Sequence, residues 1–201
     1  MKRSDHWRQK CGSAWRGGVA RQNWGDVRGS QVLEFALILP FVVVLMTGVF
    51  DFGGAWTVRD KLTNAVREGT RLAVRQNTLD LGQAQPPSIT AIHDVISSYL
   101  SNAGMTQCPI DVGPTQAATG LAWNYTSSVP ACGALLLSIN RGYVGSPPLV
   151  VNGSTVIMTR ISLQYPYNFI IFNKAIHLIA PDSSYSGTFT ITGQSIMQNL
   201  N

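Results

Sequence analysis

The rhythm of hydrophobic and polar positions changes several times along the chain. From Val32 to Phe50 the residues are almost wholly apolar, interrupted only by Glu34, Pro40, Thr47 and Gly48. At about 1.5 Å per helical residue this run nearly matches a ~30 Å hydrocarbon core. A soluble core helix of that length would show a polar face, and none occurs between Phe35 and Met46. The run therefore predicts a membrane-spanning helix. From Asp51 to Gln76 the spacing turns helical and amphipathic, with Leu62, Ala65, Val66, Leu72 and Ala73 at steps of three and four. Arg67, Arg71 and Arg75 succeed one another four apart on another face with Glu68 beside them, a solvated stripe. One helix from Ser30 to Gln76 would be about 70 Å long, twice what a bilayer needs, and the excess is expected to form a stalk. Bends are expected at Pro40, which lacks a backbone donor, and at Gly53-Gly54.

Beyond Gln76 the pattern shortens. Gln83 to Pro87 breaks the chain, and Ser88 is placed to cap a helix whose Ile89, Ile92, Ile96, Tyr99 and Leu100 share a face before Gly104 ends it. From Thr106 onward, Gly, Pro, Ser and Thr punctuate the runs Ala134 to Ile139, Thr155 to Tyr165 and Thr188 to Ile196, which predict antiparallel strands. The stretch from Phe169 to Ile179 is apolar but too short and too polar to span, and reads as core packing or a hairpin, with subunit or membrane-surface contact as the alternative. The expected fold class is α+β: a long N-terminal membrane-spanning helix continuing as a stalk, then a small extracytoplasmic domain with a short helix and an antiparallel sheet. The expected divisions are a basic cytoplasmic leader over 1–29, a transmembrane helix over 30–50, a helical stalk and linker over 51–85, and the extracytoplasmic domain over 86–201.

Composition sharpens this picture. Charged residues make up only 12% of the 201 residues, and the net charge of +5 resides in the leader, where Lys2, Arg3, Arg8, Lys10, Arg16, Arg21 and Arg28 face only Asp5 and Asp26. Cations concentrated before an apolar span hold that end in the cytoplasm and place the chain after Phe50 on the other side of the membrane. Trp7, Trp15 and Trp24 lie among these basic groups. Such a mixture suits single-stranded nucleic acid or an anionic lipid surface, and beside a membrane span the lipid reading is preferred, so membrane lipid is an expected partner and nucleic acid is not. A secretory signal is the rival explanation, with Gly53 and Ala55 fitting a cleavage-site pattern, but the apolar run exceeds the usual roughly 7 to 15 residues.

At the junction, Glu34 sits five residues after Gly29 at the entrance of the apolar run. A carboxylate there either stays interfacial, near headgroups and the positive helix end, or has a partner. In the second reading, cleavage after Gly29 creates a new amino terminus at Ser30 and Glu34 supplies counter-charge when helices of several subunits pack together. The segment Gly29-Ser30-Gln31-Val32-Leu33-Glu34-Phe35-Ala36-Leu37-Ile38-Leu39-Pro40 resembles the start of a TadE-like pseudopilin of the tight-adherence (Flp, type IVb) pilus system. The likeness continues through Thr47-Gly48-Val49-Phe50-Asp51-Phe52-Gly53 and through Ala65-Val66-Arg67-Glu68-Gly69-Thr70-Arg71-Leu72-Ala73, over residues 28 to 75. It implies cleavage after Gly29 by a membrane prepilin peptidase on the cytoplasmic side, residence in the bacterial inner membrane with the C-terminal domain periplasmic or extracellular, and partnership with other pilins and pseudopilins. It also implies a structural part in pilus assembly and cell adhesion.

Candidate chemistry beyond the helix is sparse. Cys11 falls in the leader, so Cys108 and Cys132 are the cysteines of the outer domain, and in an oxidising compartment they suggest one disulfide, buried free thiols being the alternative. Zinc would need two further ligands, and no His or Cys lies at a metal-ligand spacing. His93 and Asp94 are adjacent and expected to point apart, and His177 reads as a surface residue. There is no Gly-x-Ser-x-Gly elbow, phosphate-binding loop or His-Glu-x-x-His, and the carboxylates after residue 81 are Asp94, Asp111 and Asp182. The expectation is a non-catalytic protein without cofactor or metal. The alternatives are a single-pass anchored periplasmic binding module that does not polymerise and, less favoured, an anchored hydrolase.

Overall fold

A computed structural model describes residues 25–118, 120–169, 171, 174 and 188–199. The expectations for Cys11, Trp7, Trp15, Trp24, His177 and most of the 169–179 stretch lie outside the described residues. The chain divides into two compact units, Met1–Val42 and Val43–Asn201.

The first element, α1 (Gly25–Ala73), is one helix that runs unbroken through Pro40 and through Gly53-Gly54. Its threonines do not disturb it, because each turns its hydroxyl back onto the preceding turn: Thr47 donates to Val43 O at 2.8 Å and Thr70 to Val66 O at 2.6 Å. In the Val43–Asn201 unit, Leu62, Ala65, Val66 and Ala73 are fully buried. The stretch expected as a stalk is thus the spine of a core, as its three- and four-residue spacing requires. Arg67, Glu68, Arg71 and Arg75 are exposed, and Arg71 pairs with Glu68 at 2.8 Å.

A second helix, α2 (Pro87–Asn102), turns Ile89, Ile92, Ile96 and Leu100 inward. Its start differs from expectation, since Pro86 is the cap and Pro87 the first helical residue. Proline is suited to that first position because its missing N–H would have had no partner there. Ser88 does not cap; its N–H and its hydroxyl both donate to the Asp80 carboxylate, at 2.7 and 3.0 Å, so an upstream acid serves the helix start. At the other end Gly104, with φ of 77°, lets the Met105 N–H return to Leu100 O at 2.9 Å.

Five strands form an antiparallel sheet in the order β1-β2-β3-β6-β7: β1 (Val112–Gln116), β2 (Ala122–Thr126), β3 (Leu136–Tyr143), β6 (Met158–Asn168) and β7 (Thr188–Gln198). Between β3 and β6 a small hairpin pairs β4 (Val150–Val151) with β5 (Ser154–Thr155). Side chains alternate across the sheet with period two, so residues sharing a register row share a face. Trp123, Ile139 and Ile161 form one buried row, and Tyr125, Leu137, Leu163 and Gly193 the next. The row between them, Asn124, Ser138, Ser162 and Gln194, lies on the opposite face and is polar throughout. One face is therefore the core face, covered by α1 and α2, and the other meets solvent.

Two glycines set how closely these layers approach. A Cβ at Gly193 would lie 3.0 Å from the Leu62 carbonyl carbon and 3.0 Å from its Cβ, so α1 crosses β7 where a side chain is missing. A Cβ at Gly69 would lie 2.6 Å from two carbons of Ile96, which places α1 against α2 in the same way. Cys108, in the loop after α2, is bonded to Cys132 at the end of the short turn Pro130–Cys132, with Cα atoms 5.6 Å apart and both residues in the core.

These contacts set the expected stability of two variants. Valine favours strands over glycine, yet Gly193→Val is expected to destabilise the full-length protein by about 1–3 kcal/mol because α1 has nowhere to retreat. Thermal unfolding in detergent checks this, and an unchanged or raised Tm would contradict the helix–sheet contact. The double variant Cys108→Ala, Cys132→Ala is expected to lose about 3 kcal/mol under non-reducing conditions, from reopening in the unfolded chain a loop whose ends are 24 residues apart.

Candidate membrane anchor and processing site

From Gly29 to Met46 every residue of α1 is exposed. The exposure is that of large apolar side chains: Val32 at 67%, Phe35 at 66% and Leu45 at 71%. Isolated surface leucines are ordinary, but a continuous sleeve of this kind is not stable against water at about 25 cal/mol per Å² of apolar surface. By length and composition the helix is able to cross a bilayer. Burial begins at Thr47 and Asp51.

Gly29, Ser30 and Glu34 lie together on consecutive turns at the start of this sleeve, all exposed. A Cβ at Gly29 would meet nothing within 4 Å. The helix already includes Gly25, so the Gly29–Ser30 peptide bond lies inside a helix rather than ahead of one.

At the far end of the apolar run the Val43–Asn201 unit gathers aromatics. Phe169 lies 6.0 Å from Phe52, 5.5 Å edge-on from Tyr167 and 6.5 Å from Phe189, ring centre to ring centre. Tyr167 Oη donates to the Asp51 carbonyl at 3.4 Å and the Ile171 N–H to its carboxylate at 3.3 Å, tying the end of β6 to α1. Burial, and then the charge of Asp51, push the Tyr167 phenol above its ordinary range. Phe52, Phe189 and Trp56 remain largely exposed, and the Arg59 guanidinium sits 5.4 Å over the Trp56 ring. Exposed aromatics with a neighbouring cation are what a membrane–water boundary favours.

The remaining candidates divide clearly. His93 and Asp94 do not point apart: His93 Nδ1 lies 3.0 Å from Asp94 Oδ1, its Nε2 lies 2.7 Å from Ile110 O, and its ring stacks on Tyr125 at 4.4 Å. With both nitrogens engaged and one face covered, His93 ties α2 to the chain entering β1. Asp111 accepts from the Ser128 hydroxyl and, at 2.7 Å, from the Ser128 N–H, which together hold its carboxyl below the usual range at a solvent-exposed turn. Among the described residues no group of three or more His, Cys, Asp or Glu is arranged to hold a metal ion. One residue not singled out from the sequence is Arg141 of β3, which is 1% exposed. It continues the inward row of Leu137 and Ile139, a charge at a core position that period-two alternation makes visible.

Among the described residues one N-terminal helix is long and apolar enough to cross a membrane, and it ends as the spine of a two-layer α+β unit, an arrangement that suggests a membrane-anchored class of protein. Within that class, residues 29–71 match the family model for TadE-like proteins, about a fifth of the chain. The match opens at Gly29 itself and is consistent with a TadE-like protein of the tight-adherence pilus system. No curated protein and no solved structure matches the chain.

If the sleeve is held by hydrocarbon, a charge at its middle is costly. Phe41→Arg is expected to cost about 2.5–3.5 kcal/mol in membrane insertion. Alkaline extraction of cell membranes checks this: a larger share of the variant should leave the membrane fraction, and undiminished retention would count against the span.

Proposed function

We propose that this protein is a minor pseudopilin of the tight-adherence type IVb pilus, a structural subunit and not a catalyst. Its basic leader stays in the cytoplasm, its apolar helix occupies the inner membrane, and its disulfide-bonded α+β unit lies on the periplasmic or extracellular side. The prepilin peptidase removes residues 1–29, and Ser30 becomes the new amino terminus. The observation that carries this reading is the apolar helix exposed on all sides, opening with Gly29, Ser30 and Glu34 in the TadE-like segment. Such a sleeve can be covered by lipid and, without changing shape, by the equivalent helices of other subunits.

Each residue has a physical role. Glycine is the weakest helix former after proline, so Gly29 puts the cleavable bond where local unwinding costs least. Glu34 would cost roughly 2.5 kcal/mol or more if carried uncompensated to the membrane centre. One turn from Ser30, it is placed to meet the liberated amino group of a neighbouring subunit, which offsets that cost only when helices bundle. The partners are accordingly membrane lipid, the peptidase, and the pilins and pseudopilins of the same machine.

The structure allows tests that spare the fold. Because the space around Gly29 is open, Gly29→Ala should leave α1 and Tm intact while blocking removal of the leader. Because Glu34 is exposed, Glu34→Ala should be cleaved normally yet fail to co-purify with the major pilin or enter pili. Intact-mass measurement of the membrane-purified protein reads the first outcome: the wild-type chain should begin at Ser30. An intact leader on a functional wild-type protein would replace this reading with that of a simple anchored module.

A further inference from the structure

The far end of the apolar run lies inside the Val43–Asn201 unit, and the sheet reaches down to it. Gly193 of β7 meets Leu62 of α1. Four residues earlier in the strand stands Phe189, which joins Phe52 through Phe169, with ring centres 6.5 and 6.0 Å apart. Phe52 precedes Leu62 by ten helical residues, so strand and helix run together over roughly 14 to 15 Å and the start of β7 points along α1 toward the apolar run. The two also overlap. Thr47 and Asp51, one turn apart, are buried, although the run continues to Phe50 and Met46, Val49 and Phe50 beside them are exposed. The unit therefore begins to cover α1 before the apolar residues end. Within the sheet, residues 189, 191 and 193 share the core face. Ile191 and Gly193 are buried, whereas Phe189 is 57% exposed, so this row runs past the core at the membrane end. On α1, Phe52 and Trp56 stand one turn apart on one face, both exposed, with Arg59 over the Trp56 ring.

A hydrocarbon layer that ends at Phe50 leaves Phe52 about 3 Å and Trp56 about 9 Å beyond it along the helix axis. Helical side chains lean back toward the N-terminus, so both rings fall within a headgroup layer roughly 5–8 Å deep. We infer that this end of the unit is a footing embedded in the lipid leaflet on its own side. Phe52, Trp56 and Phe189 lie where acyl chains meet headgroups, and Arg59 extends its guanidinium to the phosphates. The inference rests on the reading of the apolar run as a membrane span and adds a second contact, made by the sheet rather than by the helix. Phospholipid is favoured over a protein as the occupant for two reasons. The patch is continuous with the span, and along α1 its side chains are ordered by depth, phenylalanine before tryptophan before arginine, as an interface requires. Anchored at both helix and sheet, the unit has a fixed orientation on the bilayer, which a single helix free to rotate about its axis does not impose.

Spin labels on single introduced cysteines test this in the full-length protein, reconstituted in vesicles of phosphatidylcholine and phosphatidylglycerol. Cys11→Ser removes the competing thiol, since Cys108 and Cys132 are bonded to each other. The sites are Val43→Cys in the apolar run, Trp56→Cys and Phe189→Cys in the footing, and Gln194→Cys on the solvent face of the same strand. Collisions with oxygen, which concentrates in hydrocarbon, are compared with collisions with a neutral nickel chelate, which stays in water. The oxygen-to-nickel ratio should be highest at position 43, several-fold lower at 56 and 189, and several-fold lower again at 194. Trp56 and Phe189 are exposed within the unit, so both variants should keep the wild-type Tm, and should one unfold the other carries the test. The inference is overturned if 56 or 189 matches 194 while 43 remains in hydrocarbon. It is also overturned if 56 and 189 are shielded from both reagents, which would mark a protein partner there. A label at 43 as open to nickel as one at 194 would overturn the span itself, and the footing with it.

Discussion

Water cannot cover the first half of α1, and nearly everything else about this protein depends on that constraint. Val32, Phe35, Leu45 and their neighbours are exposed around the whole circumference of the helix, with no polar face to turn outward. An amphipathic helix would settle by laying its apolar stripe on a core; one that is apolar all round needs a solvent of its own kind. Hydrocarbon is one such solvent and a bundle of like helices is another. Moving between them costs little hydrophobic free energy, because lipid tails and leucine side chains are equally apolar, so the choice passes to close packing and to the few polar groups present. Glu34, at the entrance, is the strongest of those groups.

The second half of the same helix obeys a different rule. Once the sequence becomes periodic, α1 buries Leu62, Ala65, Val66 and Ala73 in a two-layer core, and glycines decide the spacing: Gly193 admits the helix to the sheet and Gly69 admits α2 to the helix. The part of α1 that carries these residues belongs to the core and cannot be removed without exposing it. The disulfide and the Asp80–Ser88 contact fasten the loops on either side of α2.

How much of this is legible in one dimension depends on whether the signal is local. The apolar run, the amphipathic continuation, the inward face of α2 and the strands β3, β6 and β7 all carry a period, and a period survives in the bare sequence. The strands β1 and β2 do not announce themselves. The first contains Gly113-Pro114, residues that argue against a strand except at a sheet edge, where the missing donor has no partner to lose; β1 is that edge. Ser88 has the chemistry of a cap, but Pro87 takes the first helical position and Asp80 takes the hydroxyl, a contact across eight residues that spacing rules do not reach. Adjacency argues that His93 and Asp94 diverge, but Ile110 and Tyr125 hold the imidazole where its other nitrogen meets the neighbouring carboxylate. Arg141 is visible as a charge in an inward row, while the lack of partners among the described residues for two of its nitrogens is a tertiary fact.

The central claim is that the bare helix is a lateral packing surface for other subunits as well as a membrane anchor. Site-specific photocross-linking from Val43, in the middle of the apolar run, tests it in living cells during pilus assembly. The account predicts adducts with the helices of other pilins or pseudopilins, lost when Glu34 is replaced. Adducts with lipid alone, at every stage of assembly, would contradict it.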